Sequence, residues 1–347
     1  MLRIIFASCL FIFLQSTSAH AELISGLNAP AFEKRVVTIG DNVKVYTEIS
    51  RGDASKPVFV LLNGLIYDIR RWDPLAQSLA AQGYTVIRYA FSGQPENLRL
   101  LEKGATPKFF ATGLSLQMLA EELDQVVTAL QVNVAPHQLN LVGLSYGASV
   151  AAEYAVRYPD KVDATIFVSP LVIPLDYYNV GGKSIRAWLG AVRFWEDSPC
   201  DFYGVVNPWL CSARDYWYDS FYNYFYEHYL FERVQGTPNG VDESIYKKSV
   251  FHLVRAARDF DLRGYAPRLS NVHILVAGGD DPQLRSDQQQ TWNEVPATER
   301  RSFIVFKGAQ HALPDVAPLT TADILSAIAR KQPELQSGGQ YEVDADR

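Results

Sequence analysis

The chain has 347 residues, 48% of them hydrophobic and 20% charged, so it can bury a large core and is not a disordered polymer. With 32 basic against 38 acidic residues the net charge is −6, and no basic patch interleaved with aromatics occurs, which speaks against a nucleic-acid partner. No phosphate-cradling glycine loop and no Cys/His set at metal-ligand spacing is present, so chemistry without a cofactor is expected.

At the N-terminus, Arg3 precedes an apolar run from Ile4 to Leu14, a polar stretch from Gln15 to Ser18, and then Ala19-His20-Ala21. This order predicts a secretory signal peptide over residues 1–21, with an apolar run too short to span a bilayer, and hence export to a periplasm or the medium. Strand-like runs then alternate with helical ones: Val43 to Ile49, Val58 to Leu62, Thr85 to Tyr89, Leu139 to Val142, Thr165 to Val168, Ile274 to Ala277 and Phe303 to Phe306. Such alternation predicts an α/β fold, a mostly parallel sheet flanked by helices, with its ligand crevice at the carboxyl ends of the strands.

The fourth of these runs leads into Gly143-Leu144-Ser145-Tyr146-Gly147 and then the helix-like stretch Ala148 to Ala155. Strand, sharp turn and helix in this order predict a nucleophile elbow. The turn forces Ser145 into a strained conformation, and positions two residues to either side must be small for strand and helix to pass closely. Its hydroxyl is thereby exposed at the carboxyl edge of the sheet. The backbone N–H groups that follow lie at a helix N-terminus, where they favour a developing oxyanion.

From Leu171 to about Asp259 the alternation stops and aromatics crowd the chain, among them Trp188, Trp195, Trp209 and the run from Tyr216 to Phe231. Tyr218, Phe221, Tyr222, Phe225 and Tyr229 recur at helical spacing, which predicts a helical insertion. Most of these rings are expected to pack the insertion onto the main domain, and a few to roof the crevice over Ser145 and select an apolar acyl or alkyl group. Contact with a membrane surface is the less favoured role, because the helix has no basic polar face. Once Cys9 leaves with the leader, Cys200 and Cys211 remain, an even pair that in an exported chain suggests a local disulfide, with two free thiols as the alternative.

A serine hydroxyl needs a histidine base and a group to orient it, both on later strand ends. The run Val272 to Ala277 ends in Gly278-Gly279-Asp280-Asp281-Pro282, which offers either Asp280 or Asp281. The run Ser302 to Phe306 is followed closely by His311, whereas His20 falls in the leader, His137 precedes a strand, His228 and His252 lie in helical stretches and His273 lies within a strand. Ser, then Asp, then His is the chain order expected of a serine triad on an α/β sheet. The tail from Lys331 to Arg347 is polar and is expected to be disordered.

In these motifs the chain resembles the α/β-hydrolase superfamily, in the group that carries a lid inserted after the sixth strand, through segments from about Pro57 to about Arg330. The resemblance implies a core over 22–170 and 260–330 interrupted by a cap over 171–259. It also implies Ser145 as nucleophile, His311 as base and Asp281 rather than Asp280 as the acid. Leu65, after Asn63-Gly64, and Tyr146 would donate backbone N–H groups to the oxyanion. The chain departs from the family twice: Asn63 stands where relatives commonly have His, and Arg88-Tyr89-Ala90-Phe91-Ser92-Gly93-Gln94 stands where relatives often show an Asp and a glycine-rich loop. The expected activity is that of an exported serine hydrolase of carboxylic esters, acting without cofactor on a small-molecule or lipid ester. Two alternatives are an amide or peptide hydrolase of aminopeptidase type, with Glu196, Asp197, Asp215 or Asp219 holding an amino terminus, and a catalytically silent binding protein on the same fold.

Overall fold

The computed structural model describes residues 30–345 apart from 41, 66, 133–137, 173–178, 181–182, 185–236, 258, 280–281, 297–299 and 337. The leader, the pair Cys200 and Cys211, most of the aromatic segment, and both Asp280 and Asp281 therefore lie outside the described residues.

Nine strands form one sheet in the order β1-β2-β4-β3-β5-β6-β9-β10-β11. They are β1 (Glu33–Ile39), β2 (Val43–Ser50), β3 (Val58–Leu62), β4 (Thr85–Tyr89), β5 (Leu139–Leu144), β6 (Val162–Val168), β9 (Val272–Ala277), β10 (Ser302–Lys307) and β11 (Gln340–Asp344). The short β7 (Asn179–Val180) and β8 (Lys183–Ser184) pair separately as an antiparallel ribbon. The β1/β2 and β2/β4 pairings are antiparallel, and every other pairing in the large sheet is parallel.

Both faces of the sheet are covered, which explains why the central strands are apolar at every position rather than alternating. In β3, Phe59 and Leu61 point to the layer of α1 (Asp73–Ala81) and the C-terminal helix Pro318–Ala329. Val58, Val60 and Leu62 point to the opposite layer, formed by α2 (Leu116–Ala129) and α3 (Tyr146–Arg157). Helix α2 begins where Ser115 accepts the Met118 N–H, and its apolar stripe Leu116, Leu119, Leu123 and Val126 is buried. Helix α4 (Glu243–Ala256), capped by Asp242, lies within the segment read as an insertion. Its Tyr246 and Val250 pack with Leu98 and against Leu65, so it leans on the loops that leave β3 and β4 at their carboxyl ends.

Two edges differ from the sequence reading. Glu33–Ile39 adds an antiparallel strand beside β2, turned through Gly40 and Asn42, both with positive φ. The tail is not disordered over 340–344: β11 pairs in parallel with β10 and buries Val343, with Tyr341 and Ala345 packed against the same layer. The physical reason is that β10 would otherwise present an open edge, and a period-two pattern of only three residues is enough to cover it. Deleting residues 338–347 is expected to cost about 2 kcal/mol, mainly the burial of Val343, read as a lower midpoint in urea unfolding.

Candidate active site

The strand–turn–helix context of Ser145 folds as its glycines demand. Ser145 closes β5 with φ 51° and ψ −109°, a left-handed conformation that a non-glycine residue adopts only under constraint. Its own N–H donates to the Val168 carbonyl at 2.9 Å, which ties the turn to β6, and its carbonyl accepts the Ala148 N–H at 3.1 Å, which starts α3. A Cβ at Gly143 would lie 2.5 Å from the Gly147 carbonyl oxygen, and one at Gly147 would overlap the Leu62 carbonyl oxygen and lie 2.7 Å from that of Asn63. Strand, helix and the β3 exit thus meet with backbone on backbone. Ser145 is half-buried at this junction, and Tyr146 and Gly147 open α3 with N–H groups that have no intrahelical acceptor by position.

His311 sits four residues beyond β10, half-buried, just before the one-turn helix Leu313–Val316. Because β5, β6, β9 and β10 are neighbours in one parallel sheet, the loops after β5, β9 and β10 all leave from the same edge. The loop after β9 is stitched to the histidine loop: Gly278 donates to the Phe306 carbonyl and Gly279 to the Ala309 carbonyl, each at 2.8 Å. A side chain at Gly279 would collide with the Ala309 carbonyl oxygen, so glycine is required there. Asp280 and Asp281 continue from this stitched pair but lie outside the described residues.

The loop after β3 carries Asn63, Gly64 and Leu65, and the first departure from the family pattern meets the second there. Asn63 and Gln94 are both fully buried, and the Asn63 Nδ2 donates to Gln94 Oε1 at 2.9 Å. Arg88, from the same departing stretch, forms a buried ion pair with Glu48 at 2.5 Å. The sequence flagged Asn63 and the stretch to Gln94 as departures but gave no sign that they contact each other, since 31 residues separate them. Also unforeseen is the link between this loop and the histidine loop, where the Tyr67 hydroxyl donates to Asp315 at 2.9 Å and Arg71 pairs with the same carboxylate.

Among the buried titratable groups near these loops or within the sheet, His273, His252 and Glu122 are shifted toward their neutral forms. His273 is held neutral by burial and then by Arg300, its imidazole pushed down to about 3, and its Nδ1 shares a hydrogen bond with Ser302 Oγ at 2.7 Å. His252 on α4, stacked on Phe110 at 5.2 Å, is likewise pushed down to about 4 by burial first, then by Arg255 and Lys248. Glu122 on α2 accepts the Ser92 N–H at 2.8 Å and hydroxyl at 2.5 Å, yet burial outweighs these bonds and pushes its carboxyl up to about 7.

In the native protein Glu122 keeps its proton over a range where the unfolded chain has released it. The native state therefore binds more protons between about pH 4.5 and about pH 7, and stability falls as pH rises through that window. Glu122→Gln is expected to remove this slope, so that wild type and variant converge in acid and the variant is more stable by about 3 kcal/mol at alkaline pH. Urea unfolding of both proteins across pH checks this, the difference between them isolating Glu122 from the histidines.

Comparison with known proteins agrees with this architecture. The sequence profile of the alpha/beta hydrolase family matches residues 59–324. An esterase from Exiguobacterium antarcticum superposes with a TM-score of 0.56 at 15% identity, covering 86% of this chain and 100% of its own. A membrane phospholipase A described as a bacterial virulence factor superposes at 0.57 with 17% identity, covering 95% and 99%. An enol-lactonase from Burkholderia xenovorans LB400 gives 0.51 at 14% identity, covering 86% and 97%. No curated protein matches the chain in sequence. At these identities the structural likeness concerns the fold.

Proposed function

The chain belongs to the α/β hydrolase family, and from that premise we propose that it is an exported serine hydrolase that cleaves carboxylic esters carrying an apolar acyl or alkyl group. The observation that carries the reading is the backbone of Ser145: a positive φ at the end of a central parallel strand, at the N-terminus of α3, on the sheet edge from which the His311 loop also leaves. Hydrolysis of an ester follows from these parts. Ser145 Oγ attacks the carbonyl carbon as His311 takes its proton, and the oxyanion receives the N–H groups of Leu65 and Tyr146. Collapse expels the alcohol with the proton returned by His311. Water then attacks the acyl-enzyme by the same route, while Asp281 orients the imidazole.

The substrate class is supported by relatives in fold named as an esterase, a phospholipase and a lactonase, all of which act on ester bonds. Export rests on residues 1–21, and with it the proposed Cys200–Cys211 disulfide. Intact mass of protein recovered from a periplasm or medium should show a chain beginning at Glu22, with a mass gain on reduction and alkylation only after a reductant is added.

The decisive test is labelling of the chain lacking residues 1–21 with a fluorophosphonate, followed by mass spectrometry of the modified peptide and an ester panel of graded acyl length. Labelling at Ser145 that disappears in Ser145→Ala, together with ester turnover, is the expected result. A folded protein that neither labels nor turns over any ester would sink the proposal.

A further inference from the structure

We propose that Gln94 and Asn63 are positioning residues, a buried amide relay that fixes the direction of the Gly64–Leu65 peptide and so aims the Leu65 N–H. The inference rests on the hydrolase reading above, because only there does the direction of that N–H matter to the chemistry.

The relay follows from which groups can only donate. The Trp72 indole N–H, a donor with no acceptor capacity, lies 2.6 Å from Asn63 Oδ1. That contact settles the Asn63 amide: its oxygen faces Trp72, and its Nδ2 is left to donate to Gln94 Oε1 at 2.9 Å. The Phe91 backbone N–H, also donor-only, points to the same Gln94 oxygen at 3.2 Å and independently settles the second amide. Gln94 Nε2 must then be the group that faces Gly64, and it donates to the Gly64 carbonyl at 3.0 Å. Trp72, Asn63 and Gln94 are all fully buried, so water does not compete for these bonds.

The Gly64 carbonyl and the Leu65 N–H belong to one peptide unit. Among the described residues no peptide bond is cis, so the two groups point in opposite directions from a rigid plane. Holding the carbonyl from one side, with the Tyr67 N–H as a second donor at 3.3 Å, therefore holds the N–H toward the other. Donation to the carbonyl also polarises the peptide and strengthens its N–H as a donor. Two features that looked like separate departures from the family pattern form one device, with Asn63 in the place of the usual His and Gln94 completing it.

The test uses the full protein lacking its leader, with kcat and KM measured on whichever ester the wild type turns over, per Ser145 labelled to completion with fluorophosphonate. Gln94→Glu keeps the shape and the oxygen that accepts from Asn63 and Phe91 but, when ionised, has nothing to donate to Gly64. It is expected to lower kcat per labelled serine about 10- to 100-fold with KM changed less than about twofold. Asn63→Asp, which loses the donor to Gln94 and keeps the acceptor for Trp72, should lose kcat in the same sense. The double variant should lose little more than the worse single one. The ratio of Gln94→Glu to wild-type kcat should rise toward lower pH, as protonation restores a donor to the Gly64 carbonyl, which a loss of packing alone would not produce. Wild-type kcat per labelled serine in both single variants would overturn the relay while leaving the hydrolase standing. A wild type that neither labels nor turns over esters would take both down.

Discussion

Ser145→Ala is expected to lower kcat for ester hydrolysis by about a million-fold while changing stability by less than about 0.5 kcal/mol. The asymmetry follows from what the side chain does and does not support. Serine and alanine meet the same steric penalty at φ 51°, so the strained elbow is equally costly with either. The scaffold is held by backbone bonds, Ser145 N–H to Val168 and Ala148 N–H to Ser145, that the substitution leaves intact. Only the nucleophile is lost. The residual rate should remain about a thousand-fold or more above that in water, because binding and the oxyanion donors persist. Measuring kcat alongside urea unfolding separates the two effects, and a variant that unfolds in place of simply losing activity would show that the serine is a packing residue.

Gly147→Ala is expected to damage both fold and chemistry. The added methyl would overlap the carbonyl oxygens of Leu62 and Asn63, and those belong to backbone rather than to a side chain that could swing away. Strand β3 cannot retreat, since it is paired in parallel to β4 on one side and β5 on the other. The start of α3 must therefore lift, at a cost of about 3 kcal/mol or more. Because Asn63 leads into Gly64 and Leu65, the displacement is transmitted to the oxyanion loop, and a shift of about 1 Å there is expected to lower kcat by about 100-fold in whatever fraction still folds. Gly264→Ala is the matched control. A Cβ there meets nothing within 4 Å, so its unfolding midpoint and kcat should stay at wild-type values. Equal behaviour of the two variants would refute the argument from close approach.

Local signals were sufficient where one stretch of chain holds the whole cause. The elbow needs only a strand, small residues on either side of Ser145 and a helix, all within residues 139–157, and the structure places each of them so. The buried parallel strands were legible because a sheet covered on both faces requires continuous apolar runs, as in Val58 to Leu62. Edge strands were not. In β1 only Val37 and Ile39 are buried, and in β11 only Val343, so neither shows a run or a long alternation, and each exists because a neighbouring edge needed a partner.

The sequence by itself determined the α/β architecture, the strained serine and the strand-end position of His311, because those depend on residue type and spacing within about twenty residues. Only the tertiary structure decided what the unusual polar residues do. Nothing in the sequence shows that Asn63, Trp72 and Gln94 meet, and the same holds for Glu122 with Ser92 and for Tyr67 with Asp315. Asn63, Trp72, Gln94, Glu122 and Tyr67 are buried, and burial makes an unpaired polar group costly, so each one's partner must be supplied from wherever the fold brings one within about 3 Å. That partner lies 30 residues away for Glu122 and 248 for Tyr67, distances at which spacing along the chain carries no information about contact in space.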